Sequence, residues 1–270
     1  MVKNTLTEIN KNIKKLGVVG AVRKFIKKCN TQIVVQSSRE INQILKKASG
    51  IIVANHPAQA DVLAILAAVK KRKDIYLIID SSLKKIIPEL DKHLIPVFIY
   101  NKPIRSLGDK LKMKIVEVFY KIPKYPPDKE RQKNIKSINR AIKKINNGGL
   151  VIIFPDGGNP KHNWFNGVGR MIYGIKNEKS VVIRAYIEGT SNWDYLRLIP
   201  FIGKFLPKFK ISFAKPIKIV DMKKNDPKEI TLGLENKYWK WRGCFQLWSK
   251  LSRNNLWLKM LFIFLINKPY

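Results

Sequence analysis

His56 is one of three histidines in the chain, and it lies where an apolar run gives way to a helical pattern. Residues 51–54 predict a buried strand, and residues 62–69 predict a helix. Asp61 follows the histidine by five positions, and Pro57 suits the first turn of the helix. His56 is therefore expected in the turn before the helix, folded back so that its ring reaches the Asp61 carboxylate. Such a pair fits a general base, and a hydrogen-bonded structural histidine is the ordinary alternative.

A second stretch whose residues could bind a ligand is Phe154-Pro-Asp-Gly-Gly-Asn159, which also follows an apolar run. Its glycines allow backbone amides to approach a ligand closely. Taken alone it is an ordinary turn sequence. Functional groups gather at the carboxyl ends of strands in open α/β sheets, and both stretches follow predicted strands.

The elements that must position these residues alternate between strands and helices. Strands are predicted at 51–54, 75–79, 96–100, 150–154 and 180–187, with a last pair at 210–213 and 217–220. Helices are predicted at 62–69, at 110–120, and around Ile135, Ile138, Ile142 and Ile145, where Gly148 and Gly149 end the last one. The pattern predicts an α/β fold, a largely parallel mixed sheet flanked by helices.

The ends of the chain are basic and partly apolar. Residues 1–30 predict a pair of basic amphipathic helices, with Ile13, Leu16, Val19, Val22 and Ile26 at helical spacing. Residues 236–270 mix tryptophans with lysines, as amphipathic interfacial segments do, and core packing is the alternative. Without repeats or low-complexity linkers, residues 1–270 are expected to form a single domain around a core at 45–220.

Charge is the most unusual property of the composition. Lysine and arginine number 53 against 19 aspartates and glutamates, a formal net charge of +34. This favours anionic partners, either nucleic acid or acidic lipid headgroups, and a lysine-rich composition that only solvates the surface is the alternative. No run of about 18 apolar residues occurs, so no transmembrane helix is expected. Two cysteines are too few for a disulfide framework or a metal site and suggest a reducing compartment.

Together the two stretches resemble the glycerolipid acyltransferase family of the lysophosphatidic acid acyltransferase type. Its N-H-x4-D motif is matched by Asn55, His56 and Asp61. Its F-P-E-G-T motif is matched by residues 154–157, with Asp156 in place of Glu and Gly158 in place of Thr. Weaker similarities follow in order at 95–100, 164–167, 180–187 and 214–217.

The resemblance implies transfer of a fatty acyl group from a thioester to a hydroxyl of a lysophospholipid or related lipid. His56 would be the general base and Asp61 would hold its ring. Asp156, Gly157 and Gly158 would bind substrate, with backbone amides of the turn stabilising the oxyanion. The thioester, acyl-CoA or acyl carrier protein, is a co-substrate, and no metal or other cofactor is expected.

The nature of the acceptor is less well specified. The family usually has Asp-Arg after the second motif's strand, where this chain has Tyr100-Asn101. Lys102, Arg105 and Arg184 are the candidates to hold an acceptor phosphate. A neutral or amino-containing lipid remains an alternative.

The implied partner is a membrane. We expect peripheral attachment to the cytoplasmic side of an anionic membrane through residues 1–30 and 236–270, with residues 196–209 similar in composition. One alternative is a family member that has lost activity and only binds lipid. A nucleic-acid-binding protein is less favoured, because helix-turn-helix, zinc-site and RNA-binding aromatic signals are absent.

Overall fold

A computed structural model describes the backbone of residues 2–84, 86–98, 125–157, 164–199, 201–223 and 226–254. Side chains are described within these ranges from residue 6 to residue 243. The helices are α1 (Val2–Lys28), α2 (Arg39–Lys47), α3 (Asp61–Ala68), α4 (Pro88–Asp91), α5 (Pro127–Asn146), α6 (Gly167–Gly174) and α7 (Pro227–Asn254). The strands are β1 (Ile33–Gln36), β2 (Gly50–Ala54), β3 (Ile75–Asp80), β4 (Leu94–Val97), β5 (Leu150–Ile153), β6 (Val181–Glu188), β7 (Phe209–Phe213) and β8 (Ile217–Lys218).

The described strands form one mixed sheet in the order β1-β7-β6-β2-β5-β3-β4. The neighbours from β6 to β4 run parallel, and β7 and β8 both pair antiparallel with β6. The predicted α/β class with a largely parallel mixed sheet is confirmed. The carboxyl ends of β2, β5 and β6 consequently meet at one edge, the edge that carries His56 and Phe154.

Side chains alternate between two hydrophobic cores on opposite faces of the sheet. In β2, Ile52 and Ala54 belong to the core shared with α1, α2 and α3. Ile51 and Val53 belong to the core shared with α5, α6 and α7. Because β2 is central and buried along its whole length, its carboxyl end is held from both faces.

The predicted pair of N-terminal helices is present as α1, in which Gly17 (φ 73°) interrupts the helical backbone. The apolar stripe of α1 packs inward: Ile13, Val19, Val22 and Ile26 are all buried in the first core. The guanidinium of Arg23 also donates to the carbonyl oxygens of Ala67 and Val69, both at 2.9 Å, at the end of α3. The second half of α1 is thus part of the protein core.

Several predicted boundaries were wrong. Strand β4 ends at Val97, and the predicted last pair does not pair with itself, because β7 and β8 each bond to β6. Sequence reasoning missed β1 and α2. Strand β1 has only four residues, is mostly exposed and is held by pairing with β7, a contact distant in sequence. The predicted helix at 110–120 lies outside the described residues.

Candidate active site

Asn55 continues the pairing of β2 with β6 through its side chain. Its Oδ1 accepts a hydrogen bond from the amide of Ile187 at 2.8 Å, and its Nδ2 donates to the Ile187 carbonyl at 2.9 Å. The carboxamide thus bonds to both the backbone N–H and the backbone C=O of Ile187, as a residue of a neighbouring strand would. The main chain is free to turn away from the sheet at this residue, and His56 comes next.

Tyr238 fixes the same turn from the other face of the sheet. Its hydroxyl accepts a hydrogen bond from the Asn55 amide at 3.1 Å and donates to the Ala185 carbonyl at 2.8 Å. Burial raises the pKa of Tyr238 well above its usual value; the Asn55 hydrogen bond lowers this pKa by less, and the Asp156 charge raises it by a smaller amount again. The hydroxyl therefore stays protonated and keeps donating. Sequence reasoning missed Tyr238, since no motif marks it.

The structure brings His56 and Asp61 together in the geometry expected from the five-residue offset. Nδ1 of His56 lies 3.0 Å from Oδ2 of Asp61, the first residue of α3. The same oxygen accepts the amide of Ala58 at 2.8 Å. The Asp61 side chain is fully buried, whereas that of His56 is 29% exposed.

This geometry sets the chemistry of the imidazole. A carboxylate accepts hydrogen bonds, so it favours the tautomer with the proton on Nδ1, and Nε2 keeps its lone pair. The N-terminus of α3 also favours a negative charge at Asp61. The other carboxylate oxygen, Oδ1, is buried with no hydrogen-bond partner among the described residues. Such a group costs stability, which is typical of functional positions rather than structural ones.

Phe154 supports the histidine from the end of β5. The two rings lie 4.7 Å apart between centroids and are tilted by 30°. The turn that follows is closed by a hydrogen bond from the Gly157 amide to the Phe154 carbonyl at 3.1 Å. Gly157 has φ +54°, and a Cβ there would lie 2.9 Å from the Phe165 ring, so this position favours glycine.

The structure describes only some of the predicted substrate-binding residues. The Gly157 amide is already used within its turn, and Gly158 lies outside the described residues, as do Lys102 and Arg105. Asp156 is buried, and its charge acts on Tyr238. Their roles in binding stay predictions.

Arg184 bonds to two backbone carbonyls. It pairs in register with Val53, so its side chain lies on the face covered by α7, opposite the face covered by α3. Its guanidinium donates to the Lys237 carbonyl at 2.9 Å and the Lys215 carbonyl at 3.5 Å. The bond to Lys237 ties β6 to α7, the bond to Lys215 reaches the connection between β7 and β8, and Nε has no partner among the described residues. The role of Arg184 in holding a phosphate stays a prediction.

The other described histidine has a structural role. Nδ1 of His93 bonds to the Ile75 carbonyl at 2.8 Å, just before β4. This bond links the residue before β4 to the first residue of β3.

Comparison with known proteins bears on the same region. No curated protein matches the chain. Among solved structures, the chain is similar to the 1-acyl-sn-glycerophosphate (LPA) acyltransferase PlsC from Thermotoga maritima, at 18% identity and a TM-score of 0.44, over 84% of this chain and 80% of that one. The model of the acyltransferase family matches residues 32–202, which include both motifs and more than half of the sequence. The chain therefore belongs to the acyltransferase family.

Proposed function

We propose that the chain transfers a fatty acyl group from a thioester to the hydroxyl of a lysophospholipid or related lipid, with His56 as the general base. Family membership supports acyl transfer as the reaction class. The observation that carries the proposal is the 3.0 Å contact between Nδ1 of the partly exposed His56 and the fully buried Asp61. A merely structural histidine would not require a buried carboxylate with an unpaired oxygen.

The proposed step is direct. Nε2 of His56 takes the proton of the acceptor hydroxyl while its oxygen attacks the thioester carbonyl carbon. The tetrahedral intermediate then collapses, the carbon–sulfur bond breaks, and the thiolate leaves and takes up the proton from the imidazolium. Asp61 stabilises that imidazolium while its hydrogen bond to Ala58 keeps the carboxylate in place.

Oxyanion stabilisation is proposed to come from the F-P-D-G-G turn. Since the Gly157 amide closes the turn, the Gly158 amide is the remaining glycine donor of that segment. One such donor contributes on the order of 3 kcal/mol. The donor substrate, acyl-CoA or acyl carrier protein, is anionic and suits a chain with a net charge of +34.

Peripheral attachment to the cytoplasmic side of an anionic membrane is part of the same proposal. Among the described residues, none of the helices has the length and apolar character needed to span a bilayer. The apolar stripe of α1 is buried, and Trp239 and Trp241 pack against the second core, so the basic residues of the two ends are the better candidates for attachment. Each basic residue near an anionic surface contributes about 1 kcal/mol.

The test supplies the full-length protein with a labelled acyl thioester and a panel of lysolipids, and identifies the product by mass. We expect ester formation with the unaltered protein and its loss in His56→Ala. His93→Gln is the matched control, because His93 is a partly buried, hydrogen-bonded histidine away from the proposed site. Acylation that persists in His56→Ala at the unaltered rate contradicts the proposal.

The second candidate is a lipid-binding family member without turnover. The change of Glu to Asp156 and of Thr to Gly158 in the third motif favours it. Vesicle binding without release of thiol from either donor, across the whole lysolipid panel, would support this candidate over the enzyme.

A further inference from the structure

Residues 193–199 and 201–205 expose large apolar side chains, and we call these residues the apolar platform. Its exposed members are Trp193, Tyr195, Leu198, Ile199, Phe201 and Phe205, from 50% exposed at Ile199 to 76% at Phe205. Other exposed large apolar residues in the described part of the chain are scattered over different elements. Single exposed apolar residues are ordinary, whereas a concentration of them marks an interaction surface.

The platform is held in place by a buried arginine. Arg197 is only 5% exposed, and its Nε donates to Asp194 at 2.7 Å. Its Nη2 donates to the carbonyls of Pro207 at 2.7 Å and Gly189 at 3.4 Å, at the two ends of the connection between β6 and β7. Its guanidinium lies 4.3 Å from the centre of the Phe209 ring. A buried charge of this kind fixes the backbone, so the outward side chains belong to an ordered surface.

The backbone at two further positions favours the outward orientation of the platform side chains. Phe201 has φ +69°, a left-handed conformation that is costly for a residue with a Cβ, and its side chain is nevertheless 68% exposed. Gly203 packs so closely that a Cβ would lie 1.8 Å from the Cys29 carbonyl. The backbone at Gly203 therefore packs closely against the end of α1, while the Phe201 side chain is exposed.

The platform lies at the edge of the sheet that carries His56. It begins after β6, whose Ile187 bonds to the side chain of Asn55. Exposed Lys204 and Lys208 accompany the rings, and Nζ of Lys204 is 4.8 Å from the centre of the Phe205 ring. The acidic residue of the segment, Asp194, is paired with Arg197 and so adds little repulsion toward an anionic partner.

We propose that the apolar platform docks on the surface of an anionic lipid bilayer beside the His56 edge of the sheet. This deepens the proposed function, since it names the surface through which a lipid acceptor reaches the site. Aromatic and aliphatic side chains next to lysines suit the boundary between headgroups and acyl chains. The net charge of +34 favours the acidic headgroup over a neutral apolar partner.

The experiment measures partitioning of the full-length protein into vesicles of phosphatidylcholine and phosphatidylglycerol, without substrates. The platform variant is Leu198→Ser/Phe205→Ser, and the matched control is Tyr173→Ser/Leu232→Ser, whose two residues are about half exposed on α6 and α7. We expect at least a tenfold lower partition coefficient for the platform variant, since two apolar side chains leave the interface. The control should stay within about twofold of the unaltered protein.

Three readouts make the result decisive. Thermal unfolding checks that both double variants remain folded, as expected for exposed positions. Equal partitioning of platform and control variants overturns the inference. A platform variant that changes the oligomeric state but not the partitioning also overturns it, because the surface would then join copies of the chain. The same measurement on His56→Ala separates the two proposals: vesicle binding should persist there even if acyl transfer fails.

Discussion

The hydroxyl of Tyr238 accepts a hydrogen bond from the backbone amide of Asn55 at 3.1 Å, across the sheet from the helix that carries Asp61. Tyr238 lies in α7, beyond residues 32–202, which the family model matches. The turn before His56 is therefore held by an element outside the matched region. This contact makes α7 part of the candidate site.

Tyr238→Phe should lower both stability and turnover. Without the hydroxyl, the Asn55 amide and the Ala185 carbonyl lose a buried partner, which costs about 1–3 kcal/mol of unfolding free energy. Because the turn before His56 shifts, we expect kcat to fall while KM changes little. Urea unfolding and steady-state kinetics measure both. Tyr173→Phe, at an exposed position on α6, is the control, and unchanged kcat in Tyr238→Phe would refute a positioning role.

Asp61→Asn should reduce kcat by about 10²–10⁴-fold while the protein remains folded. The amide has nearly the same shape, but it no longer favours the proton on Nδ1 of His56 and no longer stabilises the imidazolium. Steady-state kinetics measure kcat, and thermal unfolding checks that the variant remains folded. A variant within about threefold of the unaltered rate would show that the pair is structural.

Asn55→Ala should destabilise the protein by about 2 kcal/mol, because both polar groups of Ile187 lose their partner. Asn55→Asp should cost more, since one carboxylate oxygen then faces the Ile187 carbonyl. Unfolding in urea measures both changes, and Asn139→Ala, on the exposed side of α5, is the control. A smaller cost for Asn55→Asp than for Asn55→Ala would contradict the role of Nδ2 as a donor.

Arg105→Ala and Arg184→Ala should behave differently with charged and neutral acceptors. If the acceptor carries a phosphate, loss of Arg105 should cost about 1.5–3 kcal/mol, roughly 10- to 150-fold in kcat/KM, with lysophosphatidic acid alone. Loss of Arg184 should affect lysophosphatidic acid and monoacylglycerol equally, because its donors bind the carbonyls of Lys237 and Lys215. If Arg184→Ala lowers kcat/KM for lysophosphatidic acid but not for monoacylglycerol, the result would support the prediction that Arg184 holds the acceptor phosphate.

Asp74 should make stability depend on pH in the acid range. Hydrogen bonds from the Arg72 guanidinium at 2.7–2.8 Å hold the pKa of Asp74 below its usual value. Because this pKa is lowered, the Asp74 carboxylate stabilises the fold fully above the unfolded carboxylate pKa of about 4. This stabilisation is lost as the pH falls through the pKa of Asp74 in the folded protein. The urea midpoints of the unaltered protein and Asp74→Asn should therefore differ at neutral pH and converge in acid. A difference that persists at low pH would contradict this linkage.

The sequence predicted the central part of the fold and the contact between His56 and Asp61. The apolar run before Asn55 and the isoleucine spacing of α5 are local periodic signals, so β2 and α5 could be recognised. The five-residue offset between His56 and Asp61 is also a signal between residues close in sequence. Tyr238, the contacts of Arg184 and the inward packing of α1 depend on residues far apart in sequence, and no local pattern reports such contacts.

Strand β1 has a consequence for how the protein is made. Ile33 pairs with Phe209, and among the described strands β1 bonds only to β7. At roughly 5–20 residues per second, a ribosome takes on the order of ten seconds or more to supply that partner. During that time the nascent chain carries the β1 segment, Val34 and Val35 included, without its pairing partner. Closure of the sheet is therefore a late event of synthesis, and the interval before it is when this chain most needs protection from neighbouring chains.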